Sequence, residues 1–458
     1  MKLEELKLHD LHFIGVGGSG MSGLARIALA MGFRVSGSDA KESDAVKDLL
    51  SLGAEIKVGH DAANIRADQV LIVSSAISAN NPEIIRAKEL NLKILTRAEA
   101  LALFMSNKKS IAVAGTHGKT TTTSMLTVAL QGLGLDPAFA IGGTINRGGT
   151  NAHYGSGEYF VAEADESDGS FLTYRPYGAI ITNIELDHVD NFPNIEAIKD
   201  LFTEFINSIQ TNGFLIAGTS SPYVREILSK VTRTDLKIIT YGEPGSDLNY
   251  THLSLKPYGA FARVTYKGKV LGELEISVPG EHNVSNALAV IGVGLAIGSP
   301  VEKLISCIKT FSGARRRFEV KGKVKGVSVV DDYGHHPTEI DVTLKAARTF
   351  AGSGRVIVIF QPHRYSRTSV FFKEFAKALS LADKVYVLEI YGAGENPIPG
   401  VTSRIIADLI SNSEYNPSMI EVVDEVCAQV KTGDLIITLG AGDVSALAPV
   451  ILENLNAL

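Results

Sequence analysis

The residues best suited to chemistry form a glycine-rich turn that is followed at once by a lysine and two threonines. They are Gly115, Thr116, His117, Gly118, Lys119, Thr120 and Thr121. Backbone N–H groups of such a turn surround phosphate oxygens, Lys119 supplies positive charge, and the Thr120 hydroxyl is a ligand for Mg²⁺. The pattern is shorter than the usual G-x-x-x-x-G-K-[ST], because Gly115 replaces a first glycine at position 113. It predicts a site for ATP or GTP.

An acid and a histidine follow two later apolar runs. Glu163 stands directly at the end of the apolar run 159–162, and His188 follows the run at 179–182. Because parallel strands end at one edge of a sheet, both side chains are expected near the phosphate turn. With Thr120 they form a reasonable Mg²⁺ shell, in which the carboxylate is the harder ligand. The nearby acids are weaker candidates, equally consistent with a solvated loop. These are Asp165, Glu166 and Asp168.

A second glycine-rich turn near the N-terminus has the pattern G-x-G-x-x-G after an apolar run. An acid, Asp39, stands where a ribose-binding carboxylate would be found. Alone, this pattern predicts an NAD-binding oxidoreductase. The later phosphate turn favours a different reading, in which the first turn holds the diphosphate of another nucleotide-linked molecule. The candidate residues are Gly15, Gly17, Gly18, Ser19, Gly20, Met21, Asp39, Ser74 and Ser75. A turn that serves only close helix packing is the alternative.

Cationic side chains gather at a predicted helix start late in the chain. His363, Arg364 and Arg367 follow the apolar run at 356–360. Positive groups oppose the dipole at a helix N-terminus, so their placement predicts a bound carboxylate. An ordinary basic turn is the alternative. Polar and aromatic residues cluster after another run, at 327–330. They are Asp332, Tyr333, His335 and His336.

Short apolar runs that alternate with helical patterns must position these groups, and they predict an α/β protein with parallel sheets. Three blocks are distinguishable, namely a Rossmann-like domain at 1–107, a P-loop ATPase-type α/β domain at 108–312 and a Rossmann-like domain at 313–458. In the first, residues 12–16 read as a strand and 22–31 as a helix. In the second, residues 284–296 read as a helix after a β-rich stretch.

Bulk composition excludes several classes of protein. The 458 residues carry a net charge of −6 and 45% hydrophobic residues, which gives no bias toward nucleic acid or membranes. Two cysteines are too few for a disulfide framework or a zinc site, which suits a reducing cytoplasm. No apolar run is long enough to span a bilayer. An enzyme acting in the cytoplasm is therefore expected, without membrane insertion.

Several of these motifs together resemble the Mur ligases, the ATP-dependent amide-forming ligases of peptidoglycan synthesis. The resemblance covers all three blocks and rests on residues 115–121, 163–168, 183–188, 280–286 and 313–318. Residues 12–23, 331–337 and 361–368 resemble the branch that adds the first amino acid, L-alanine. Several later-acting members carry a carbamylated lysine where this chain reads 201–204 as Leu, Phe, Thr and Glu. That departure agrees with the first-step branch.

The resemblance implies an activity and its ligands. ATP would phosphorylate the lactyl carboxylate of UDP-N-acetylmuramate, and L-alanine would attack the acyl phosphate. Domain 1–107 would bind the UDP-sugar and 108–312 would bind ATP. Domain 313–458 would supply the amino-acid site and close over ATP. The implied ATP contacts beyond the phosphate turn are His282, Asn283, Asn286, Arg316, Arg317 and Asp332. The implied catalytic residues are Lys119, Glu163, His188, Asn283, Arg316, Arg317, His363 and Arg364.

Alternatives remain open at this stage. Asn283 is also a possible helix N-cap, and the choice between Arg316 and Arg317 as the phosphate contact is undecided. A recycling ligase that attaches a whole peptide to the same UDP-sugar fits the motifs. A nicotinamide oxidoreductase with a regulatory ATP loop is the different class. A monomer or weak homodimer is expected.

Overall fold

The computed structural model describes residues 1–146, 149–188 and 191–457. The end of the third predicted domain, Leu458, lies outside the described residues. The chain divides into two compact units. The first unit comprises Met1–Glu185, Ile198–Leu248 and Ala289–Cys307, and the second comprises Leu186–Ala197, Asn249–Leu288 and Ile308–Leu458.

The helices and strands of the described residues alternate through most of the chain. The helices are α1 Leu3–Leu6, α2 Ser19–Ala30, α3 Asp44–Ser51, α4 Pro82–Glu89, α5 Arg97–Met105, α6 Lys119–Gly132, α7 Ile195–Ser208, α8 Pro222–Lys230, α9 Glu281–Ile297, α10 Val301–Ile308, α11 Pro337–Ala351, α12 Tyr365–Leu379, α13 Arg404–Ala407, α14 Met419–Gln429 and α15 Leu447–Ala457. The strands are β1 Asp10–Ile14, β2 Val35–Asp39, β3 Glu55–Val58, β4 Gln69–Val73, β5 Ile94–Thr96, β6 Lys109–Ala114, β7 Ala138–Ala140, β8 Ala152–His153, β9 Tyr159–Glu163, β10 Gly178–Ile181, β11 Phe214–Gly218, β12 Lys237–Tyr241, β13 Leu248–Lys256, β14 Gly259–Tyr266, β15 Lys269–Ile276, β16 Glu319–Val324, β17 Val327–Asp332, β18 Val356–Phe360, β19 Lys384–Val387, β20 Ser413–Tyr415 and β21 Leu435–Leu439.

The first unit opens with a parallel sheet in the order β3-β2-β1-β4-β5. The order reverses at β1, and the glycine turn follows that strand. Open α/β sheets bind ligands at such a switch point. The buried apolar residues of β1 and β4 explain why these strands read as continuous runs, since helices cover both faces.

The same unit contains the strand order β12-β11-β10-β6-β9-β7-β8, which is parallel apart from β8. Strand β6, which leads into the phosphate turn, lies between β10 and β9. The residues that follow these two neighbours therefore border the turn, as the sequence predicts.

The second unit holds the antiparallel pair β14 and β15, with β13 beside β14. It also holds a sheet in the order β16-β17-β21-β18-β19-β20, parallel apart from β16. Apolar side chains of α11 and α12, such as Leu344 and Phe375, cover one face. Those of α14 and α15, such as Val426 and Ile451, cover the other.

The architecture confirms the predicted α/β class, while several element limits differ. Helix α2 begins at Ser19 rather than at residue 22, because Gly18 takes extended backbone at the N-cap and the glycine-rich first turn hides the helix start. Helix α9 begins at Glu281 rather than at 284. Asp332 is the last residue of β17 rather than a residue after it. No helix of the described residues is long and apolar enough to cross a membrane.

Candidate active site

The phosphate turn has backbone that only glycine adopts easily. Gly115 has φ 128° and Gly118 has φ 83°, and α6 begins directly after Gly118. A side chain at Gly115 would overlap the Thr182 hydroxyl and the backbone of Asn183. The turn is also tied to that neighbouring loop, since the N–H of His117 donates to Asn183 Oδ1 at 2.8 Å. The amide groups of the turn are therefore held in a fixed arrangement.

Lys119 is paired within the protein. Its Nζ lies 2.9 and 3.0 Å from the two carboxylate oxygens of Glu166 and donates to the carbonyls of Gly115 and Thr116. Glu166 is 2% exposed, so it is a buried partner of the lysine rather than a solvated loop residue. Burial alone would lower the pKa of Lys119, but the carboxylates of Glu166 and Asp165 outweigh it and raise that pKa. Lys119 is thus a permanent cation.

The oxygen atoms of Thr120 and Glu163 lie together beside this lysine. The Thr120 hydroxyl donates to Glu163 Oε1 at 2.9 Å, and the N–H of Gly142 donates to Glu163 Oε2 at 2.7 Å. A hydroxyl and a carboxylate are hard oxygen ligands, so this part of the predicted magnesium set fits the ion. His188, the third member, belongs to the second unit. It has φ 52°, an uncommon conformation for a residue other than glycine.

A hydrogen bond between its backbone and the Asp39 carboxylate holds the first glycine turn in place. The N–H of Gly17 donates to Asp39 Oδ2 at 2.8 Å, and a Cβ at Gly17 would lie only 2.9 Å from that oxygen. Ser74 borders Gly15, while Ser75 is exposed. Met21 is 2% exposed, so its side chain packs into the core. The predicted residues of this turn thus lie at one edge of the first sheet, with Asp39 serving to hold it.

A cleft of about 260 Å³ lies between this turn and the second sheet of the unit. Its lining includes Ser19, Gly20, Arg97, Gly142, Asn151 and Glu163. Asn151 Nδ2 donates to the carbonyl of Ser19 at 2.7 Å. A Cβ on Gly23 would lie 3.0 Å from the Cβ of Ala152, so α2 and β8 are in close contact. The cleft therefore connects the first glycine turn with Glu163, the partner of Thr120 in the phosphate turn.

In the second unit, the asparagines of α9 are buried and joined. Asn283 Nδ2 donates to the Pro279 carbonyl at 2.7 Å, and Asn286 Nδ2 donates to Asn283 Oδ1 at 3.1 Å. Because α9 already begins at Glu281, Asn283 is inside the helix and is not its N-cap. Burial lowers the pKa of the neighbouring His282 to about 4.

Arg316 and Arg317 both lie over the ring of Tyr333, with guanidinium carbons 4.8 and 5.2 Å from its centroid. Arg316 also donates to the Gly440 carbonyl at 2.6 Å and adopts φ 58°. Asp332 accepts hydrogen bonds from backbone N–H groups of the two turns beside it, at 2.7 and 2.8 Å. Burial raises the pKa of Asp332. Asp332 therefore fixes these turns.

A row of rings continues from Tyr333. His335 lies 5.1 Å from that ring and 5.9 Å from His363, and His363 stacks on Tyr391 at 5.7 Å with an interplanar angle of 12°. Burial lowers the pKa of His335 to about 3 and that of His363 to about 4. Both are neutral at pH 7. His336 is the N-cap of α11 and accepts from the N–H of Thr338 at 3.4 Å.

The cations before and within α12 already have carboxylate partners in the protein. Arg367 is buried and lies 2.9 Å from Asp187 Oδ1, and Arg364 lies 3.6 Å from Glu395 Oε1. Burial alone would raise the pKa of Asp187, but Arg367 holds it below its usual range. These cations therefore do not by themselves require a bound anion, because acids of the same unit supply compensating charge, and the carboxylate site at this helix start stays a prediction.

The match to known proteins runs through the whole chain. The model described as the Mur ligase family catalytic domain matches residues 10–109, the Mur ligase middle domain matches 113–294, and the Mur ligase glutamate ligase domain matches 316–442. The UDP-N-acetylmuramate–L-alanine ligase of Renibacterium salmoninarum is 46% identical over 99% of this chain and 98% of its own. The enzyme of the same name from Saccharopolyspora erythraea is 46% identical over 98% and 94%.

This chain is a Mur ligase. Among solved structures, the UDP-N-acetylmuramate–alanine ligase of Thermotoga maritima has a TM-score of 0.82 and 29% identity, covering 98% of this chain and 99% of its own. The murein peptide ligase of Psychrobacter arcticus has a TM-score of 0.72 and 26% identity, with the same coverage. These matches confirm the family resemblance that the motifs indicated.

The structure brings into this Mur ligase site three residues that the sequence did not single out, and it gives a definite partner to Glu166, which was only a weaker candidate. Arg97 lines the cleft, Asn151 joins its two sides, Glu166 pairs with Lys119, and Asp187 pairs with Arg367. Glu166 and Asp187 stand within motifs that were noted, so adjacency was a usable signal. Arg97 and Asn151 belong to no phosphate-binding pattern, and only the tertiary fold reveals them.

Proposed function

We propose that this protein joins L-alanine to the lactyl carboxylate of UDP-N-acetylmuramate at the expense of ATP, giving UDP-N-acetylmuramoyl-L-alanine, ADP and phosphate in peptidoglycan synthesis. The observation that carries the proposal is the cleft lined by residues of the first glycine turn and by Glu163, which accepts a hydrogen bond from Thr120 of the phosphate turn. An acid on a sugar nucleotide and an ATP terminal phosphate would meet there. Relatives of the same length bear the name of this activity.

The proposed reaction proceeds in two steps. A lactyl oxygen attacks the terminal phosphorus of ATP, the bond to the bridging oxygen breaks, and ADP leaves. The nitrogen of L-alanine then attacks the acyl carbon, the bond to the phosphate oxygen breaks, and an amide forms. Both steps bring anions together, so catalysis requires positioning and neutralisation of charge.

Residues of this chain would supply that neutralisation. Lys119 would contact the terminal phosphates and then the acyl phosphate, with backbone N–H groups of residues 115–118. Arg316 and Arg317 would contact ATP phosphates, and Asn283 and Asn286 the adenine side. Thr120, Glu163 and His188 would hold Mg²⁺, which would contribute further positive charge at the phosphates.

The amine of L-alanine must lose a proton before it attacks and another as the amide forms. His335 and His363 remain neutral at pH 7, since burial lowers the pKa values to about 3 and about 4. Such low pKa values make both rings weak bases at pH 7, so we assign the transferred protons to neither of them. Arg364 and Tyr333 would orient the alanine carboxylate from the same unit.

Two rival functions make different demands. A recycling ligase would use a peptide in place of L-alanine on the same UDP-sugar, but the relatives of that kind are less similar in structure than the alanine ligase of Thermotoga maritima. A nicotinamide oxidoreductase would need no ATP turnover. The full-length ligase relatives disfavour that class.

The proposal is tested by measuring phosphate release while one component of the reaction at a time is left out. We expect release only when UDP-N-acetylmuramate, ATP and Mg²⁺ are all present, with full turnover on addition of L-alanine. The tripeptide L-alanyl-γ-D-glutamyl-meso-diaminopimelate serves as the competing acceptor. Preferential use of the tripeptide, or hydride transfer to NAD(P)⁺ without ATP turnover, would overturn the proposal.

We further propose that the enzyme acts in the cytoplasm, where ATP is supplied, as a monomer or weak homodimer. Sedimentation velocity across a range of concentrations tests the second statement. A tight dimer at micromolar concentration would contradict it.

A further inference from the structure

We propose that Arg97 receives the carboxylate of the acid substrate in the cleft and thereby selects sugar nucleotides that carry this carboxylate. The inference rests on the proposed function and extends it, since it names the residue that recognises the acid. It begins from the position of one side chain that the phosphate-binding motifs do not include.

Arg97 is the first residue of α5 and lies against the glycine turn. A Cβ built on Gly20 would be 3.1 Å from Arg97 Cδ and 3.5 Å from its Nε. The side chain therefore extends over Gly20 and lines the cleft between that turn and the second sheet. The absence of a side chain at position 20 provides the space that it occupies.

The guanidinium of Arg97 forms no hydrogen bond or ion pair with any residue that the structure describes. The nearest acid on its own helix, Glu99, is used otherwise, because its carboxylate accepts from the N–H of Thr96 at 2.7 Å in a capping box. A half-buried cation at a helix N-terminus is unfavourable both through the dipole and through lost hydration. A ligand anion would compensate for both effects.

The charges around the cleft indicate where that anion would lie. Arg97 is the only cationic side chain among the described residues that line it, and the lining acids are Glu163 and Asp165. An anion entering this cleft is repelled by the two acids unless it pairs with Arg97. Lys119 is already paired with Glu166, at 2.9 Å.

A carboxylate fits this position better than a phosphate of ATP. Glu163, which is bonded to Thr120 of the phosphate turn, lines the same cleft as Arg97. A carboxylate held by Arg97 would thus be near the turn that is expected to present the terminal phosphate. The planar guanidinium also matches a carboxylate with two parallel hydrogen bonds. The diphosphate of the same sugar nucleotide is the competing source of negative charge.

Calorimetric binding of two sugar nucleotides distinguishes these sources. UDP-N-acetylmuramate carries the lactyl carboxylate, and UDP-N-acetylglucosamine has the same diphosphate without it. We expect Arg97→Gln to weaken the binding of UDP-N-acetylmuramate by about 10- to 100-fold, which is the effect of losing one charged pair. Binding of UDP-N-acetylglucosamine and the KM for ATP should not change. The affinity of Arg97→Lys for UDP-N-acetylmuramate should lie between those of the wild type and Arg97→Gln. Lysine keeps the charge but cannot donate two parallel hydrogen bonds to a carboxylate.

Arg86→Gln is the matched control, since Arg86 is an exposed arginine of α4 that pairs with Glu89 at 3.0 Å. It should bind both nucleotides as the wild type does. The melting temperature of Arg97→Gln should be no lower than that of the wild type, because the substitution removes a half-buried charge at a helix N-terminus and breaks no ion pair within the described residues.

An equal loss for both nucleotides would assign Arg97 to the diphosphate and overturn the proposal. No loss for either would remove Arg97 from substrate binding. Failure of the wild type itself to bind UDP-N-acetylmuramate would instead refute the proposed function, and the wild-type measurement alone reveals that outcome.

Discussion

At the scale of single residues, Lys119 carries the clearest expectation. Lys119→Ala should lower the rate of phosphate release by about 10³-fold or more, because its charge acts on the reacting phosphates rather than on packing. Steady-state kinetics with saturating UDP-N-acetylmuramate and L-alanine measure the effect.

Lys109→Ala is the control for this substitution. Lys109 is an exposed lysine at the start of β6, the strand that leads to the same turn, and it pairs with Glu158 at 2.9 Å. It should retain wild-type rates. A rate for Lys119→Ala within about tenfold of the wild type would remove this lysine from the mechanism.

The type of most site residues was predictable, while their partners were not. Lysine after a glycine turn has a fixed chemical use, so Lys119 stood out. Its pairing with Glu166 depends on how the loop after β9 folds back, which no local pattern encodes. The same holds for Arg367 and Asp187, which are far apart in the chain and joined only by the tertiary fold.

At the scale of elements, a buried carboxylate joins helix α4 to two strands of the first sheet and to the segment that leads into β4. Glu83 of α4 is fully buried and accepts hydrogen bonds from Ser38 of β2 and from Asn64 and His60, while His12 of β1 lies 3.7 Å away. Burial alone would raise the pKa of Glu83, but the hydrogen bonds outweigh it and lower that pKa to about 2. Sequence patterns gave no sign of this cluster.

Glu83→Gln should therefore destabilise the first sheet by about 3 kcal/mol at pH 7, because a buried network loses its charged acceptor. Hydrogen exchange of the β1 and β4 amides measures the local free energy of opening. Glu89→Gln, on the exposed end of the same helix, should change it by less than about 0.5 kcal/mol.

The sign of the pH dependence follows from the lowered pKa. The stabilisation from Glu83 is fully present above its ordinary pKa of 4.5 and is lost as pH falls toward about 2. The difference in the local free energy of opening between the wild type and Glu83→Gln should shrink over that interval. A difference that stayed constant with pH would show that the Glu83 charge does not stabilise the fold.

Element type was more predictable than element limits. Continuous apolar runs identified the parallel strands because helices cover both faces of each sheet. Helix starts were missed where glycine and serine fill the first turn, as in α2, or where polar site residues do, as in α9. Local composition resembles a loop at both places, and tertiary contacts decide the outcome.

At the scale of the whole molecule, the two units should respond differently to acid. Three histidines with pKa values lowered by burial belong to the second unit, at about 4 for His282 and His363 and about 3 for His335. They are neutral in the folded chain, whereas the unfolded chain takes up protons below pH 6.5. Their stabilisation is therefore complete above pH 6.5 and declines as pH falls toward 4.

Hydrogen exchange between pH 7.5 and 5, corrected for intrinsic rates, should show loss of protection in the second unit, around β17 and α12, before the first sheet. In the double variant His335→Gln with His363→Gln, protection should depend less steeply on pH, whatever its absolute level. Equal acid sensitivity of both units, with an unchanged slope in the double variant, would contradict this account.

The contact between Gly23 and Ala152 has a consequence for building hybrid enzymes. Helix α2 and strand β8 approach so closely that a Cβ on Gly23 would lie 3.0 Å from the Cβ of Ala152. A chimera that takes residues 1–107 from one relative and the rest from another would keep this spacing only if both partners supplied matching small residues. An exchange of residues 1–107 alone thus succeeds only where glycine at 23 meets a small residue at 152, and other combinations must exchange both sides of the contact together.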